Sequence, residues 1–472
     1  MLPNMLEAKK RTNKPVDIIY DSYQADKTIN NLTYHIKTYG CQMNVRDSEV
    51  MSAILEDMGF THNENIETAD LVLLNTCSIR ENAHNKVFGM LGRLKNRKEK
   101  EPNLIVGLAG CMAQEETVAK DLLAKYKWLD FVIGTHNLHE LPNVLNKSLE
   151  DKKLNINVWS HEGEVIENLP IKRESNHSAW VNIMFGCDKF CTYCIVPMTR
   201  GKQRSRLVKD IINEVEDLVK QDYKEVTLLG QNVNAYGKDL PDNNINFANL
   251  LELIAKTNIP RIRFVTSHPW DFTDEMIEVI AKYPNIMPYI HLPVQAGSDH
   301  ILKLMGRKYT VEEYLTLFNK IKKAIPNVAI STDIIVAFPG ETEEDFKGTL
   351  DLYNTCKFDT AFTFLFSPRE NTAAAKLTDD TEESVKKERL QTLNKLVSKY
   401  AKESNKAYVD KVVPVLLTNQ SPKNKDVLQG YTDTMKLVNV PTSIHNIGKI
   451  VNVKITKAKT WNLEGELDEW TR

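Results

Sequence analysis

Cys187, Cys191 and Cys194 stand close together in the spacing C-x3-C-x2-C, with Tyr193 directly before the last cysteine. Three thiolates can hold three irons of a cubane 4Fe-4S cluster and leave the fourth iron without a protein ligand. An iron with an open site can bind a small molecule and pass it an electron, which a cluster held by four cysteines does less readily. Zinc is an alternative occupant, but it usually wants a fourth Cys or His at a regular spacing, and none follows closely. Three unrelated buried thiols are the other alternative.

A second trio, Cys41, Cys77 and Cys111, is spread widely along the chain, yet each member sits just past a predicted strand. Those strands read 33–39, 71–75 and 104–108. In a parallel sheet the carboxyl ends of the strands share one edge, where open α/β folds bind ligands. Neighbouring strands lie about 4.8 Å apart, so three cysteines there could converge on one cluster. Gly40 and Gly110 allow tight turns beside bulky inorganic sulfide. Three coincidences of position weigh against ordinary core thiols, although free Cys is commonly buried. Cys356, the seventh cysteine, has no such partner and reads as core.

The elements that must position these residues fall into three segments, and the fold class they imply is α/β. With 472 residues the chain is expected to hold two to four domains. A polar extension, 1–32, precedes an open parallel-sheet domain over 33–147, in which strands alternate with helical patterns such as 47–58. The run 131–134 looks like its last strand, followed by a helix near 138–145. Residues 148–176 are rich in Asn, Glu, Lys and Ser and read as a linker.

Over 177–405, strands at 179–185, 225–229, 261–266, 289–294, 329–337 and 360–366 are separated by amphipathic helical patterns such as 208–220 and 311–325. Six such units fit a partial (β/α)6 barrel, whereas a full (β/α)8 barrel would need two more. The charged helical pattern 376–406 should close it. Beyond 406, helical periodicity vanishes, and 412–417, 435–440 and 449–459 are short strands rich in Val, Ile, Thr and Lys. A small OB-like β-barrel over 406–472 is expected.

Composition restricts the function classes. Charged residues make up 26% and the net charge is -2, so no global basic field advertises a nucleic-acid partner. Two local basic clusters exist, 93–98 and 200–206, and such runs are commonly solvated faces. No apolar run approaches the roughly 20 residues of a membrane span. The amino terminus lacks the apolar stretch of a signal peptide, and the odd cysteine count favours reduced thiols over disulfides. A cytoplasmic protein is expected.

The C-x3-C-x2-C motif resembles the signature of the radical S-adenosylmethionine (SAM) enzymes, whose cluster cleaves SAM reductively to a 5'-deoxyadenosyl radical. Residues 428–438 resemble the TRAM domain, a small RNA-binding module. Together with the second trio, the order of motifs over about 33–470 resembles the methylthiotransferases. Thr38-Tyr39-Gly40-Cys41-Gln42-Met43-Asn44 opens the series, followed by Asn75-Thr76-Cys77-Ser78-Ile79-Arg80 and Ala109-Gly110-Cys111-Met112-Ala113-Gln114. Pro197-Met198-Thr199-Arg200-Gly201, Leu229-Gly230-Gln231-Asn232, His291-Leu292-Pro293-Val294-Gln295 and Asp333-Ile334-Ile335-Val336-Ala337-Phe338-Pro339-Gly340-Glu341 continue it. Ala337 stands where a glycine is common, and Ser367-Pro368-Arg369-Glu370-Asn371-Thr372 replaces a more usual Arg-Pro-Gly-Thr pattern.

The opening motif resembles the MiaB branch of the family, which acts on tRNA carrying an isopentenyl group on adenosine 37. The resemblance implies a transferase that inserts a methylthio group at carbon 2 of that adenine. It implies two 4Fe-4S clusters, on Cys187, Cys191 and Cys194 and on Cys41, Cys77 and Cys111, and two SAM molecules per turnover. One SAM would supply the methyl group and the other the radical. The partners implied are the tRNA anticodon loop, an electron donor and a sulfur source, and nothing demands more than a monomer. The competing readings are the same chemistry on an aspartate of a ribosomal protein, or a non-catalytic metal-cluster RNA-binding module.

Around the SAM motif, Tyr193 is a candidate to pack on the adenine moiety of SAM. Gln231, Asn232, Ser267 and Gln295 end predicted strands and could hydrogen-bond the SAM ribose and methionine groups, as loops at a barrel's carboxyl face do. His268 shares that position, but it and His291 read more readily as structural histidines. Asp333, inside a strand, needs a partner. Arg200, Lys202, Arg204 and Arg206 follow the motif and are expected to grip tRNA phosphates. An anticodon loop presents its base unpaired, so extrusion costs little.

Overall fold

In a computed structural model of the chain, the described residues are 31–78, 81–242 and 244–468, with 3, 17–20, 23 and 29 nearer the amino terminus; the side chains of 81–84 are not included. Most of the polar extension therefore lies outside the described residues, as do Ile79 and Arg80. The chain forms two compact units. One comprises residues up to Glu174 with Asn182–Phe190 and Cys194–Arg206; the other comprises Ser175–Val181, Cys191–Tyr193 and Leu207–Arg472.

In the first unit a six-stranded sheet runs in the order Thr61–His62, Thr33–Thr38, Leu71–Thr76, Ile105–Gly110, Phe131–Ile133, Asn155–Asn157. Its pairings are parallel. Leu71–Thr76 and Ile105–Gly110 are buried at every residue, as strands covered on both faces must be. Alternation divides their side chains between two cores. Leu71, Leu73 and Ile105 pack with Met51, Ile54 and Leu55 of helix Gln42–Asp57, and with Leu141 and Leu145 of helix Leu141–Asp151. Val72, Leu74, Val106 and Leu108 pack on the opposite face with Val87, Leu91 and Leu94 of helix Glu81–Lys100.

Segment 148–176 is not a bare linker. Asn155–Asn157 extends the sheet beyond Phe131–Ile133, which was expected to be its last strand. Val165–Ile166 pairs with Ile18–Ile19. A three-residue strand of sequence Asn-Ile-Asn carries too short a pattern to announce itself, and only pairing to a neighbour makes it a strand.

The second unit carries the six strands expected of the partial barrel. Ser178–Asn182, Glu225–Leu229 and Arg261–Phe264 form one three-stranded sheet; Tyr289–His291, Ala329–Val336 and Thr360–Leu365 form another. A parallel bridge from Ile262 to Ile286 links the two along the chain. Helices Val208–Lys220, Phe247–Ala255, Asp274–Lys282, Val311–Ala324 and Glu343–Cys356 alternate with the strands. Three of them start on capping boxes, led by Asn246, Thr310 and Thr342. Helix Glu383–Lys406 follows the last strand. Ala337 adopts φ 56°, a left-handed conformation costing a non-glycine residue about 1–2 kcal/mol, which explains the family's usual glycine there.

A closed five-stranded barrel ends the chain, in the order Val412–Ser421, Asn424–Thr432, Leu437–Pro441, Leu463–Leu467, Ile450–Ala458. Val415, Leu417, Leu428, Val438, Val440, Val453, Ile455 and Leu463 fill it. Its turn after Thr432 is seated at the amino-terminal ends of the larger barrel's strands. Arg261 donates to the carbonyls of Tyr431 (3.0 Å) and Thr432 (2.7 Å), and Lys436 Nζ donates to Ser404 Oγ (2.8 Å) beside Asp359 (3.3 Å).

Candidate iron-sulfur centres and their surroundings

The strands Thr33–Thr38, Leu71–Thr76 and Ile105–Gly110 are neighbours in that order, with Thr38 opposite Asn75 and Asn75 opposite Ala109. Their carboxyl ends therefore lie in one row, and Cys41, Cys77 and Cys111 follow within three residues of it. Cys41 caps helix Gln42–Asp57, and Cys111 opens the short 3-10 turn Cys111–Gln114. Gly40, at φ 122°, lies so close to Cys77 that a Cβ there would fall 2.3 Å from that of Cys77. Gly110, at φ 95°, would likewise drive a Cβ to 2.4 Å from Asn75 Oδ1. Both turns require glycine because the cysteine-bearing loops are pressed together.

The thiols are gathered. Cys41 interacts with Cys77 side chain to side chain, and the Sγ atoms of Cys41 and Cys111 stand 3.9 and 3.8 Å from Asn44 Oδ1. The hydrogen bond from Cys77, offset in part by burial and helped by the Arg200 charge, pulls the Cys41 thiol down to about 6. Burial pushes Cys111 up to about 11 against the pull of Arg200. None of the seven cysteines is in a disulfide. Among the described residues no three Cys, His, Asp or Glu side chains close on a site for a single metal ion.

Cys187, Cys191 and Cys194 share the loop after strand Met184–Phe185. The Cys187 amide donates to Gly201 O (3.1 Å), and the Lys189 amide donates to Cys187 Sγ (3.4 Å). Cys191 Sγ accepts from Arg307 Nη1 (3.6 Å). Arg307 is buried and also donates to Tyr309 Oη (3.0 Å) and Pro293 O (3.0 Å). No motif flagged Arg307, which lies over a hundred residues from Cys191 in sequence; only the fold brings them together.

The expected SAM-binding residues lie at strand ends as anticipated. The loops after Glu225–Leu229 and Arg261–Phe264 are stitched by Thr266 Oγ1 to Gly230 O (2.6 Å) and Val233 N to Thr266 O (3.3 Å). Asn232 Nδ2 donates to Asp271 Oδ2 (2.7 Å), but Asn232 Oδ1 and Ser267 Oγ are buried without a partner among the described residues. Two orphaned buried oxygens in adjacent loops suit a polar ligand, since an unmet buried group costs about 1–3 kcal/mol. Gln295 is held at φ 73° by backbone bonds to Asp333 and Ile335. Tyr193 meets the edge of Phe338, with ring centroids 6.5 Å apart. His268 accepts from the Trp270 amide, and His291 bonds Ser331 Oγ (2.9 Å) with Asp333 at 3.4 Å. Both histidines thus have structural work, and Asp333 has its partner.

The basic run 200–206 turns inward, which corrects its reading as a phosphate grip. Arg200, Arg204 and Arg206 are buried. Arg206 forms a bidentate pair with Glu167 (2.6 and 2.7 Å), and Arg204 donates to Gly163 O (2.8 Å) and Arg200 O (3.1 Å). Glu167 and Gly163 come from segment 148–176, while Arg206 also donates to Asn182 O (2.7 Å). Guanidinium groups so paired cannot also contact phosphate without exchanging a satisfied buried bond for a solvent-exposed one. Only Lys202 of the four is part-exposed.

Comparison with known proteins accords with this architecture. Residues 181–353 match the model of the Radical SAM superfamily, 33–134 that of the Uncharacterized protein family UPF0004, and 406–467 that of the TRAM domain. The chain is 53% identical over 471 residues to the tRNA-2-methylthio-N(6)-dimethylallyladenosine synthase of Staphylococcus haemolyticus, covering 99% of this chain and 92% of that one. It is also 53% identical to the synthase of the same name from Anoxybacillus flavithermus, over 99% and 90% of the two chains. Among solved structures, the radical SAM methyltransferase TsrM of Kitasatospora setae is similar in fold, with a TM-score of 0.52 at 14% identity over 74% of this chain and 77% of that one. Near-complete coverage at such identity, with the three family models in the expected order, makes this chain a member of the tRNA-2-methylthio-N(6)-dimethylallyladenosine synthase family of radical SAM enzymes.

Proposed function

We propose that the chain inserts a methylthio group at carbon 2 of isopentenyl-modified adenosine 37 in tRNA, using two iron-sulfur clusters. The observation that carries this reading is the gathering of Cys41, Cys77 and Cys111 at one sheet edge in a chain that also holds the radical SAM motif. An adenine C2–H bond yields neither to a general base nor to a metal hydroxide, so a cofactor must carry the radical step. Membership of the radical SAM superfamily implies one 4Fe-4S cluster and SAM. Bound, these supply an electron and a 5'-deoxyadenosyl radical.

The chain's own residues bind, orient and shield. Cys187, Cys191 and Cys194 would hold the SAM-binding cluster, and Arg307 fixes the Cys191 side chain. Asn232 Oδ1 and Ser267 Oγ, buried without a partner among the described residues, would take hydrogen bonds from the polar groups of SAM. Gln231, Gln295 and Tyr193 complete that set of candidates. Cys41, Cys77 and Cys111 would hold a second cluster and, with it, the sulfur to be transferred. The TRAM barrel supplies the RNA contact, in place of the buried arginines 200, 204 and 206, with Lys202 the remaining candidate of that run. Among the described residues no helix is long and apolar enough to cross a membrane.

The test is nucleoside analysis of tRNA from a strain lacking the protein, complemented with wild type, Cys77→Ala or Cys191→Ala. Wild type should restore the 2-methylthio nucleoside. Cys77→Ala should cleave SAM yet leave isopentenyl-adenosine unthiolated, and Cys191→Ala should lose reductive SAM cleavage. Unchanged tRNA nucleosides in the deletion strain would point to a protein substrate instead.

A further inference from the structure

Arg200 is a buried cation aimed at a cysteine. Its Nε donates to Cys111 Sγ (3.1 Å), and its Nη2 donates to Asn44 Oδ1 (2.9 Å) and Asp47 Oδ2 (2.6 Å). Asn44 and Asp47 are buried too, and lie one turn apart on helix Gln42–Asp57, which Cys41 caps. Asn44 Oδ1 also stands 3.9 Å from Cys41 Sγ and 3.8 Å from Cys111 Sγ. A single guanidinium thus joins the strand-end thiols to an ion pair beneath them.

A structural ion pair would need only the Asp47 contact. The direction of Nε, towards sulfur and away from water, is additional. A cluster on three thiolates is negatively charged, and placing another electron on it in a buried site is costly. A fixed positive charge against one ligand lowers that cost, and Asp47 returns part of it.

We infer that Arg200 and Asp47 form a charge pair of opposing sign that sets the reduction potential of the cluster on Cys41, Cys77 and Cys111, with Arg200 raising it and Asp47 lowering it. Arg200 is a positioning residue that acts through Cys111. The inference rests on the proposed second cluster.

The experiment uses the full chain carrying Cys187→Ala, Cys191→Ala and Cys194→Ala, reconstituted anaerobically with iron and sulfide. About four irons per chain in this parent establish the second cluster, and their absence defeats the two-cluster reading whatever Arg200 does. Arg200→Gln, Arg200→Lys and Asp47→Asn are then added singly, and the midpoint is read by redox titration followed by electron paramagnetic resonance. Arg200→Gln should weaken reduction at least tenfold, 59 mV for one electron. Arg200→Lys should keep most of the parent value, and Asp47→Asn should shift it upward. If Arg200→Gln holds no iron, Asp47→Asn decides: an upward shift sustains the inference, and no shift or a downward one overturns it. Retained iron with unchanged midpoints, or Gln and Asn variants shifting in the same direction, would show that the pair is merely structural.

Discussion

Arg206 and Glu167 meet in a buried bidentate pair, Nε to Oε1 at 2.6 Å and Nη2 to Oε2 at 2.7 Å. This pair ties segment 148–176 to a basic run that, read linearly, looks like a phosphate-binding loop. Removing either partner leaves an uncompensated buried charge. Glu167→Gln and Arg206→Gln should therefore each destabilise the protein by about 3–5 kcal/mol in chemical denaturation. A phosphate contact would behave otherwise, with normal stability and a salt slope of tRNA binding reduced by about one for Arg206→Gln.

Ser267 should report on SAM. Its buried hydroxyl has no partner among the described residues, so Ser267→Ala should remove no hydrogen bond that the apo-protein uses. We expect unchanged thermal stability and SAM affinity weakened roughly 3- to 10-fold by equilibrium binding, the value of one hydrogen bond. Equal SAM affinity in wild type and variant would exclude the contact.

Arg307 should matter to the first cluster as a holder of its ligand. Arg307→Met deletes the donor to Cys191 Sγ, Pro293 O and Tyr309 Oη. Less iron at the motif after reconstitution and a slower release of 5'-deoxyadenosine are expected, with rescue by Arg307→Lys incomplete because lysine lacks the planar fork.

The turn of the TRAM barrel should contribute to the stability of the larger barrel. Arg261 satisfies two of its carbonyls and faces Glu225 at 3.3 Å. Arg261→Met should lower the free energy of unfolding by about 2–4 kcal/mol in chemical denaturation and open residues 431–436 to limited proteolysis.

Glu341 gives a pH signature. Burial pushes its carboxyl up to about 7, although the Ala337 amide and Arg389 pull the other way. A carboxyl raised in the folded state favours folding below its ordinary value, near 4.5, and that contribution is lost as pH rises through 7. Stability relative to Glu341→Gln should fall between pH 4.5 and 7 by at most about 3 kcal/mol. A difference that stays flat across that range in thermal melts would contradict it.

Much of the architecture was legible because it repeats local signals. Strand Glu225–Leu229 and helix Val208–Lys220 have the bounds their periodicity predicts, since a buried strand and an amphipathic helix each carry a pattern long enough to read. Strands Asn155–Asn157, Asn424–Thr432 and Leu463–Leu467 were not legible: they are short or broken by polar residues and Gly, and depend on neighbours distant in sequence.

By itself the sequence determined which chemistry is available, because cysteine spacing and strand-end placement are local properties of the chain. It named the six candidate ligands and the order of the folded segments. Only the tertiary structure decided what the charges do. Arg200, Arg204 and Arg206 read as an exposed basic face, yet each is buried against groups up to 156 residues away in sequence. A charge run has the same composition whether it faces water or a carboxylate, and only burial and partners distinguish the two. For the same reason nothing in the sequence marked Arg307 as a partner of Cys191 or Asp47 as a partner of Arg200.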